Sequence, residues 1–294
     1  MKKFLFSGFS DEICTDFEGQ MRAFSDSELS FSFAELRFVD GKNIAELRND
    51  ELCAVKKTME KYGIRASALA SPIGKVQLSD DLSEHFEKAK RVFSSARALG
   101  AAFVRIFSFY PADGECFCGG DEEKVLSALS HLLTLAREEK ITLCLENEHG
   151  VYGESPERVL RLLTRFGGEL KSVFDMGNFV LDGYDPLAAY DKLAPYIAYF
   201  HVKDARRDKT IVPPGEGDAE VREILRAHSE KNETVLVSLE PHLADFAGLS
   251  ALTKETLHRE TVDPKTAFFD AAKKLCAITR ALSEEEKGKE NERI

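Results

Sequence analysis

No G-x-G-x-x-G turn follows the first hydrophobic segment, where the chain reads "GFSDEICTD". That absence removes the phosphate-binding signature expected of an open dinucleotide-binding sheet. Long apolar runs are missing too. "MKKFLFSGFSDE" reaches acidic residues after a hydrophobic stretch too short for a signal-peptide core and far too short for a membrane span. Positive charge is in deficit, with 40 Lys and Arg against 51 Asp and Glu, a formal net charge of −11. A field of that sign repels phosphate backbones and anionic lipid, so neither nucleic acid nor membrane is an expected partner. Zinc-knuckle spacing is also lacking. The six cysteines (14, 53, 116, 118, 144 and 276) are scattered, and "CFC" at 116–118 is the only close pair. They read as reduced structural thiols, mostly in apolar surroundings, of a soluble cytoplasmic protein. No stretch has the composition of a linker, so one domain is expected.

What the sequence does contain is alternation. Eight strand-like runs lie near 3–9, 29–37, 64–70, 102–109, 141–147, 171–176, 197–203 and 234–240. Helix-like stretches separate them, among them 82–100, 122–140 and 155–167, with apolar residues at helical spacing. Ser155 is placed as an N-cap and Pro156 at the first helical position. Alternating strands and helices pair in parallel. Eight such units fit a closed (β/α)8 TIM barrel, which typically needs about 250 residues. This predicts an α/β, single-domain barrel over residues 1–282. The tail "SEEEKGKENERI" (283–294) is charged, has no core-facing stripe and is expected to fray.

In such a barrel the site lies at the C-terminal ends of the strands. The fifth strand ends in Glu146 and Glu148, followed by His149. The sixth offers Asp175 and Asn178, the seventh His201, Lys203 and Asp204, and the eighth Glu240 and His242. Period-two alternation puts Val235, Val237 and Leu239 outside, with Leu236, Ser238 and Glu240 inside. In the fifth strand Leu143 and Leu145 oppose Thr142, Cys144 and Glu146. A single acid at a strand end is ordinarily the start of a solvated loop. Four consecutive strands tipped by Glu146, Asp175, His201 and Glu240 are a different matter, because bare carboxylates so placed repel one another. One divalent cation resolves that repulsion. Mn²⁺ or Mg²⁺ suits the oxygen-rich set best, with Zn²⁺ or Co²⁺ as alternatives.

"CLENE", "FDMGNFVLDGYDP", "YFHVKDAR", "PPGEGD" and "SLEPHL", with "FSDEI", "ELRFVDGKNI" and "ASPIGK" before them, together resemble the sugar phosphate isomerase/epimerase family of xylose-isomerase-like barrels. The resemblance spans about residues 4–250 in order. It implies Glu146, Asp175, His201 and Glu240 as metal ligands, with Glu146 and Glu240 also catalytic. The activity implied is isomerisation or epimerisation of a small sugar, sugar phosphate or polyol through a metal-stabilised enediolate. Three positions bear on the branch. The ketose epimerases commonly have a histidine where Asn178 stands and a substrate-contacting glutamate where Tyr152 stands, whereas their arginine is matched by Arg207.

Lys75, Arg105, Lys203 and Arg207 are candidates to orient a substrate anion. Arg105 is expected to point inward in phase with Phe103 and Phe107. Salt bridging is the plainer alternative for each, and Glu35 and Arg37 are a candidate pair of that kind. Asn178 is placed with the substrate-binding residues. His242 is placed beside the ligands, where it would orient one of them. "PPGEGD" (213–218) reads as a lid or as a helix-capping loop. Three other activities fit this site type: a sugar or inositol-type dehydratase, an abasic-site endonuclease, and a sugar-binding barrel without turnover. The endonucleases of this barrel hold three zinc ions in histidine-rich sites, whereas only His149, His201 and His242 lie near strand tips here. A homodimer is compatible with the fold, though one chain's sequence shows no interface.

Overall fold

Period-two runs rich in Phe, Val, Ile and Leu build eight strands: β1 (Lys3–Gly8), β2 (Phe33–Leu36), β3 (Arg65–Ala70), β4 (Phe103–Ile106), β5 (Thr142–Glu146), β6 (Lys171–Asp175), β7 (Ile197–Val202) and β8 (Thr234–Leu239). The structure is a computed structural model that describes residues 3–29, 31–112, 114, 116–231, 234–246 and 263–291. Every strand pairs in parallel with its sequence neighbour from β2 round to β8, and β8 pairs with β1. Strands β1 and β2 lie side by side without a ladder among the described residues, so the barrel is nearly closed. This is the predicted (β/α)8 architecture.

The connecting helices are α1 (Phe17–Phe24), α2 (Asn49–Tyr62), α3 (Ser83–Leu99), α4 (Asp121–Glu139), α5 (Pro156–Arg165), α6 (Met176–Leu181), α7 (Pro186–Leu193), α8 (Val221–Ser229) and α9 (Pro264–Asn291). Ser155 caps α5 by accepting the Arg158 N–H at 3.3 Å, and Pro156 opens that helix. Strand β4 ends earlier than its hydrophobic run. Phe107, Phe109 and Tyr110 instead donate backbone N–H groups to the 73–76 loop, at 2.8, 2.9 and 2.9 Å.

The charged C-terminal segment is helical over its described residues. Helix α9 continues through Asn291, Leu282 is buried, and an Arg222–Glu285 ion pair ties the segment to α8. Long charged side chains cost a helix little, and one anchored turn carries the next. None of the described helices is long and apolar enough to cross a membrane. None of the six cysteines is in a disulfide; only Cys144 is fully buried, and three of the six are exposed rather than set in apolar surroundings.

Alternation divides the core into two layers. Val235, Val237, Leu239, Leu143 and Leu145 face the helices in the main hydrophobic core. Ala68, Cys144, Val173 and Tyr199 fill the barrel interior, with Phe103 and Leu236 packed against them. Burying such large side chains contributes roughly 1.5–3 kcal/mol each. The inner layer is a floor, and the polar residues stand on it.

Candidate metal centre

Glu146 ends β5, Asp175 ends β6, His201 is the penultimate residue of β7, and Glu240 follows β8. Each offers one ligand atom, and these four atoms all lie within 4.8 Å of one another with every residue buried. His201 Nδ1 is 2.9 Å from Glu146 Oε1, 3.4 Å from Glu240 Oε2 and 3.9 Å from Asp175 Oδ2. The sequence-derived quartet therefore converges on one point.

Each acid has a cationic neighbour. Arg105 Nη1 donates to Glu146 Oε2 at 2.6 Å, and Arg37 Nη1 donates to Glu240 Oε1 at 2.7 Å. Lys203 Nζ is 3.2 Å from Asp175 Oδ2 and donates to Asn178 Oδ1 at 2.8 Å. Burial opposes ionisation of Glu146, but Arg105 and His201 outweigh it and hold the carboxyl at about 2. Burial likewise opposes ionisation of Glu240, yet Lys203 and the neighbouring imidazoles keep it well below the carboxylate range. At Asp175 burial wins over Lys203 and raises the carboxyl to about 7. The His201 imidazolium, disfavoured by burial, is held well above its ordinary range by Glu35 and Glu146.

The residues present fit a divalent cation. Asp11, Glu12, Glu35, Glu146, Asp175 and Glu240 are six buried carboxylates, against the three permanent cations Arg37, Arg105 and Lys203. Asp175 Oδ2 and Glu240 Oε2 are within ion-pair reach of Lys203 but receive no hydrogen bond. Buried carboxylate oxygens are ordinarily satisfied, so two without a hydrogen-bond donor beside one imidazole nitrogen could take a cation. An oxygen-rich set with one nitrogen can hold such an ion.

The other predicted residues separate. Arg105 points inward as expected, its guanidinium 4.5 Å over the Phe107 ring. Lys75 lies over the same ring at 4.4 Å and pairs with Glu148 at 2.9 Å. Asn178 is buried and engaged within the protein: its amide donates to the Asn147 carbonyl at 2.9 Å and its oxygen takes Lys203. His242 does sit beside a proposed ligand, 3.2 Å from Glu240 Oε1 and 3.4 Å from Glu12 Oε1, and burial lowers its pKa to about 3. Arg207 is exposed, with its backbone N–H on Asp218 at 2.9 Å, and is not among the residues gathered here. His149 is exposed at the rim, 2.7 Å from Asp182.

One further expectation is corrected. Glu35 and Arg37 do not pair. Arg37 is spent on Asp11, Glu12 and Glu240, while Glu35 receives Tyr199, Ser238 and His201. Both are buried, beside the core residues Ala34 and Leu36, and which partners they meet depends on barrel closure. "PPGEGD" is tied to the end of the seventh strand unit through Asp204. Asp204 accepts the Gly215, Gly217 and Ala219 N–H groups at 2.8, 3.0 and 3.1 Å and pins the loop. Sequence reasoning also gave no role to Glu12, although it lies within the quoted "FSDEI", or to Asn147, whose side chain exchanges two hydrogen bonds with the Asp175 backbone.

A nearly closed eight-stranded parallel barrel with a buried carboxylate–imidazole cluster at the C-terminal ends of its strands defines the (β/α)8 class, in which that end ordinarily carries the site. The family model of the xylose isomerase-like TIM barrel matches residues 27–263, and the chain belongs to that family. Its structure resembles that of D-allulose 3-epimerase from Methylomonas sp. in complex with D-allulose, with TM-score 0.74 and 13% identity over 95% of this chain and 98% of the other. It resembles the probable 3-DHS dehydratase AsbF from Bacillus anthracis at TM-score 0.70 and 17% identity, over 94% and 99%. It is also similar to a xylose isomerase-like TIM barrel protein from Mycobacterium smegmatis in complex with magnesium, at TM-score 0.66 and 16% identity, over 93% and 97%. At these identities the likeness is one of fold. No curated protein sequence matches the chain.

Proposed function

We propose that the protein is a divalent-metal-dependent isomerase or epimerase of a small sugar, sugar phosphate or polyol, with Glu146, Asp175, His201 and Glu240 as ligands. One observation carries the reading: four side chains from four consecutive strands bring their ligand atoms within 4.8 Å in a buried site with two orphaned carboxylate oxygens. Mg²⁺ or Mn²⁺ suits the donor set, and a fold relative is known with magnesium. Bound there, the ion supplies Lewis-acid stabilisation of negative charge developing on substrate oxygens.

The chain's own residues supply the remainder. Glu146 and Glu240 take and return the proton, each accepting a hydrogen bond from an arginine that cannot itself be deprotonated. Lys203, fixed by Asn178, holds a positive charge between Asp175 and Glu240. Lys75 and Arg105, stacked on Phe107, form a cationic edge to the site.

A dehydratase is the second reading, and a specific observation favours it. Tyr152 and Asn178 replace the glutamate and histidine common in ketose epimerases. Here Tyr152 donates to Glu122 at 2.6 Å and Asn178 is locked on Asn147 and Lys203, so both are committed within the protein. Incubation of metal-loaded protein with a sugar panel in deuterated water separates the readings. Carbon-bound deuterium with conversion supports isomerisation or epimerisation, and loss of water supports dehydration. No exchange and no conversion, with metal confirmed bound, would refute both.

A further inference from the structure

We infer that Glu35, a residue outside the ligand quartet, is the positioning residue of the metal centre: it engages His201 Nε2 and leaves Nδ1 as the ring atom facing Glu146, Asp175 and Glu240. The inference rests on the proposed metal site and goes beyond it.

The geometry comes from β2. Glu35 lies opposite Ala68 at a register shift between Ala34 and Glu35, and such irregularities re-aim a side chain. Its carboxylate is fully buried in the barrel, beneath the quartet. Tyr199 Oη donates to Oε1 at 2.9 Å, and Ser238 Oγ donates to Oε2 at 2.6 Å. His201 Nε2 is 3.1 Å from both oxygens. A carboxylate is an acceptor only, so the ring nitrogen facing it must carry the hydrogen.

Nδ1 also faces a carboxylate, 2.9 Å from Glu146 Oε1, but it is the nitrogen surrounded by the three acids proposed as ligands, so a bound divalent ion would take the place of its hydrogen. Two aromatic rings hold the imidazole in that plane: Phe9 at 5.0 Å and Tyr199 at 5.5 Å between centroids, both edge-on. Glu35 sits at the far edge of the imidazole, so its oxygens are turned away from the ion position. Outer partners of this kind fix which nitrogen of a ligating histidine meets the metal.

Competition with a chromophoric chelator tests it on the full chain. Glu35→Gln, which keeps the volume but loses the charge, should weaken Mn²⁺ binding about 10–100-fold. Wild-type affinity in a folded Glu35→Gln protein would overturn the positioning role while leaving the metal site intact. Absence of bound metal in the loaded wild type would overturn both. A second measurement needs no variant. In ¹⁵N-labelled wild type loaded with diamagnetic Zn²⁺, His201 Nε2 should carry a directly bonded hydrogen and Nδ1 should show the metal-bound shift. Coordination through Nε2 would sink the inference even where the variant fails to fold.

Discussion

Arg105 Nη1 and Glu146 Oε2 are 2.6 Å apart inside the barrel, with both side chains almost wholly shielded from water. The pair joins a residue of β4 to the tip of β5 and keeps one proposed ligand ionised before any substrate arrives. Buried pairs of this sort gain little over apolar residues, yet breaking one leaves an uncompensated charge. Arg105→Met should therefore destabilise the metal-free protein by about 3–5 kcal/mol, read from urea denaturation. Added divalent cation should recover part of the loss. An unchanged urea midpoint would contradict this account of the pair.

Metal loading should stabilise the fold. With ligand at about 100 times its Kd the gain is about 2.7 kcal/mol. Elemental analysis should find about one divalent ion per chain, the saturation expected of a single site. Asp175→Asn or His201→Ala should lose both the ion and the melting shift. A melting shift that survives both substitutions would place the ion elsewhere.

Glu240→Gln should lower turnover by roughly 10²–10⁴-fold, the range for removing a positioned proton-transfer group. Deuterium incorporation should fall in parallel with conversion. If exchange continues at the wild-type rate while conversion stops, Glu240 does not take the proton.

His85 gives the fold an acid-sensitive tether. Its Nε2 accepts the Gly74 N–H at 2.9 Å, which requires a neutral ring, and burial lowers its pKa from 6.5 to about 4. The unfolded chain therefore binds the proton first as pH falls. The stabilisation is complete above about 6.5 and is lost as pH drops toward 4. Because the ring is only partly buried, solvent screening reduces the loss to roughly 1 kcal/mol. Denaturation at pH 7.5 and 4.5 should show a smaller drop in His85→Gln, whose amide oxygen keeps the acceptor without titrating.

Gly217→Ala should unpin the 213–218 loop. A Cβ there would meet Asp204 Oδ1 at 2.2 Å and the Ala205 carbonyl oxygen at 2.6 Å. Forcing atoms into such a contact costs about 1–3 kcal/mol. Hydrogen exchange of the Gly215 and Ala219 amides should quicken by more than that of β8.

The four clustered side chains at the strand tips were legible in the sequence. Side chains alternate along a strand by local geometry, so Glu146 and Glu240 followed from the leucines and valines beside them, as did inward Arg105. Partnership was not legible. Glu35, two positions away, was only a candidate partner for Arg37, whose guanidinium reaches Glu240, 203 positions along the chain. Arg207 was placed by spacing from His201, but two short antiparallel strands (Asp204–Ala205 and Ile211–Val212) carry it to the surface.

The sequence by itself determined the order of strands and helices and which face of each strand turns inward, because both depend on backbone geometry over a few residues. It also supplied the acids and the histidine at the strand tips. Only the tertiary structure decided which cation stands by which carboxylate, which ring nitrogen of His201 meets Glu35, and which oxygens are left without a donor. Those outcomes depend on strands far apart in the chain meeting around one axis. Electrostatic partnership is then a matter of distances that no local pattern encodes.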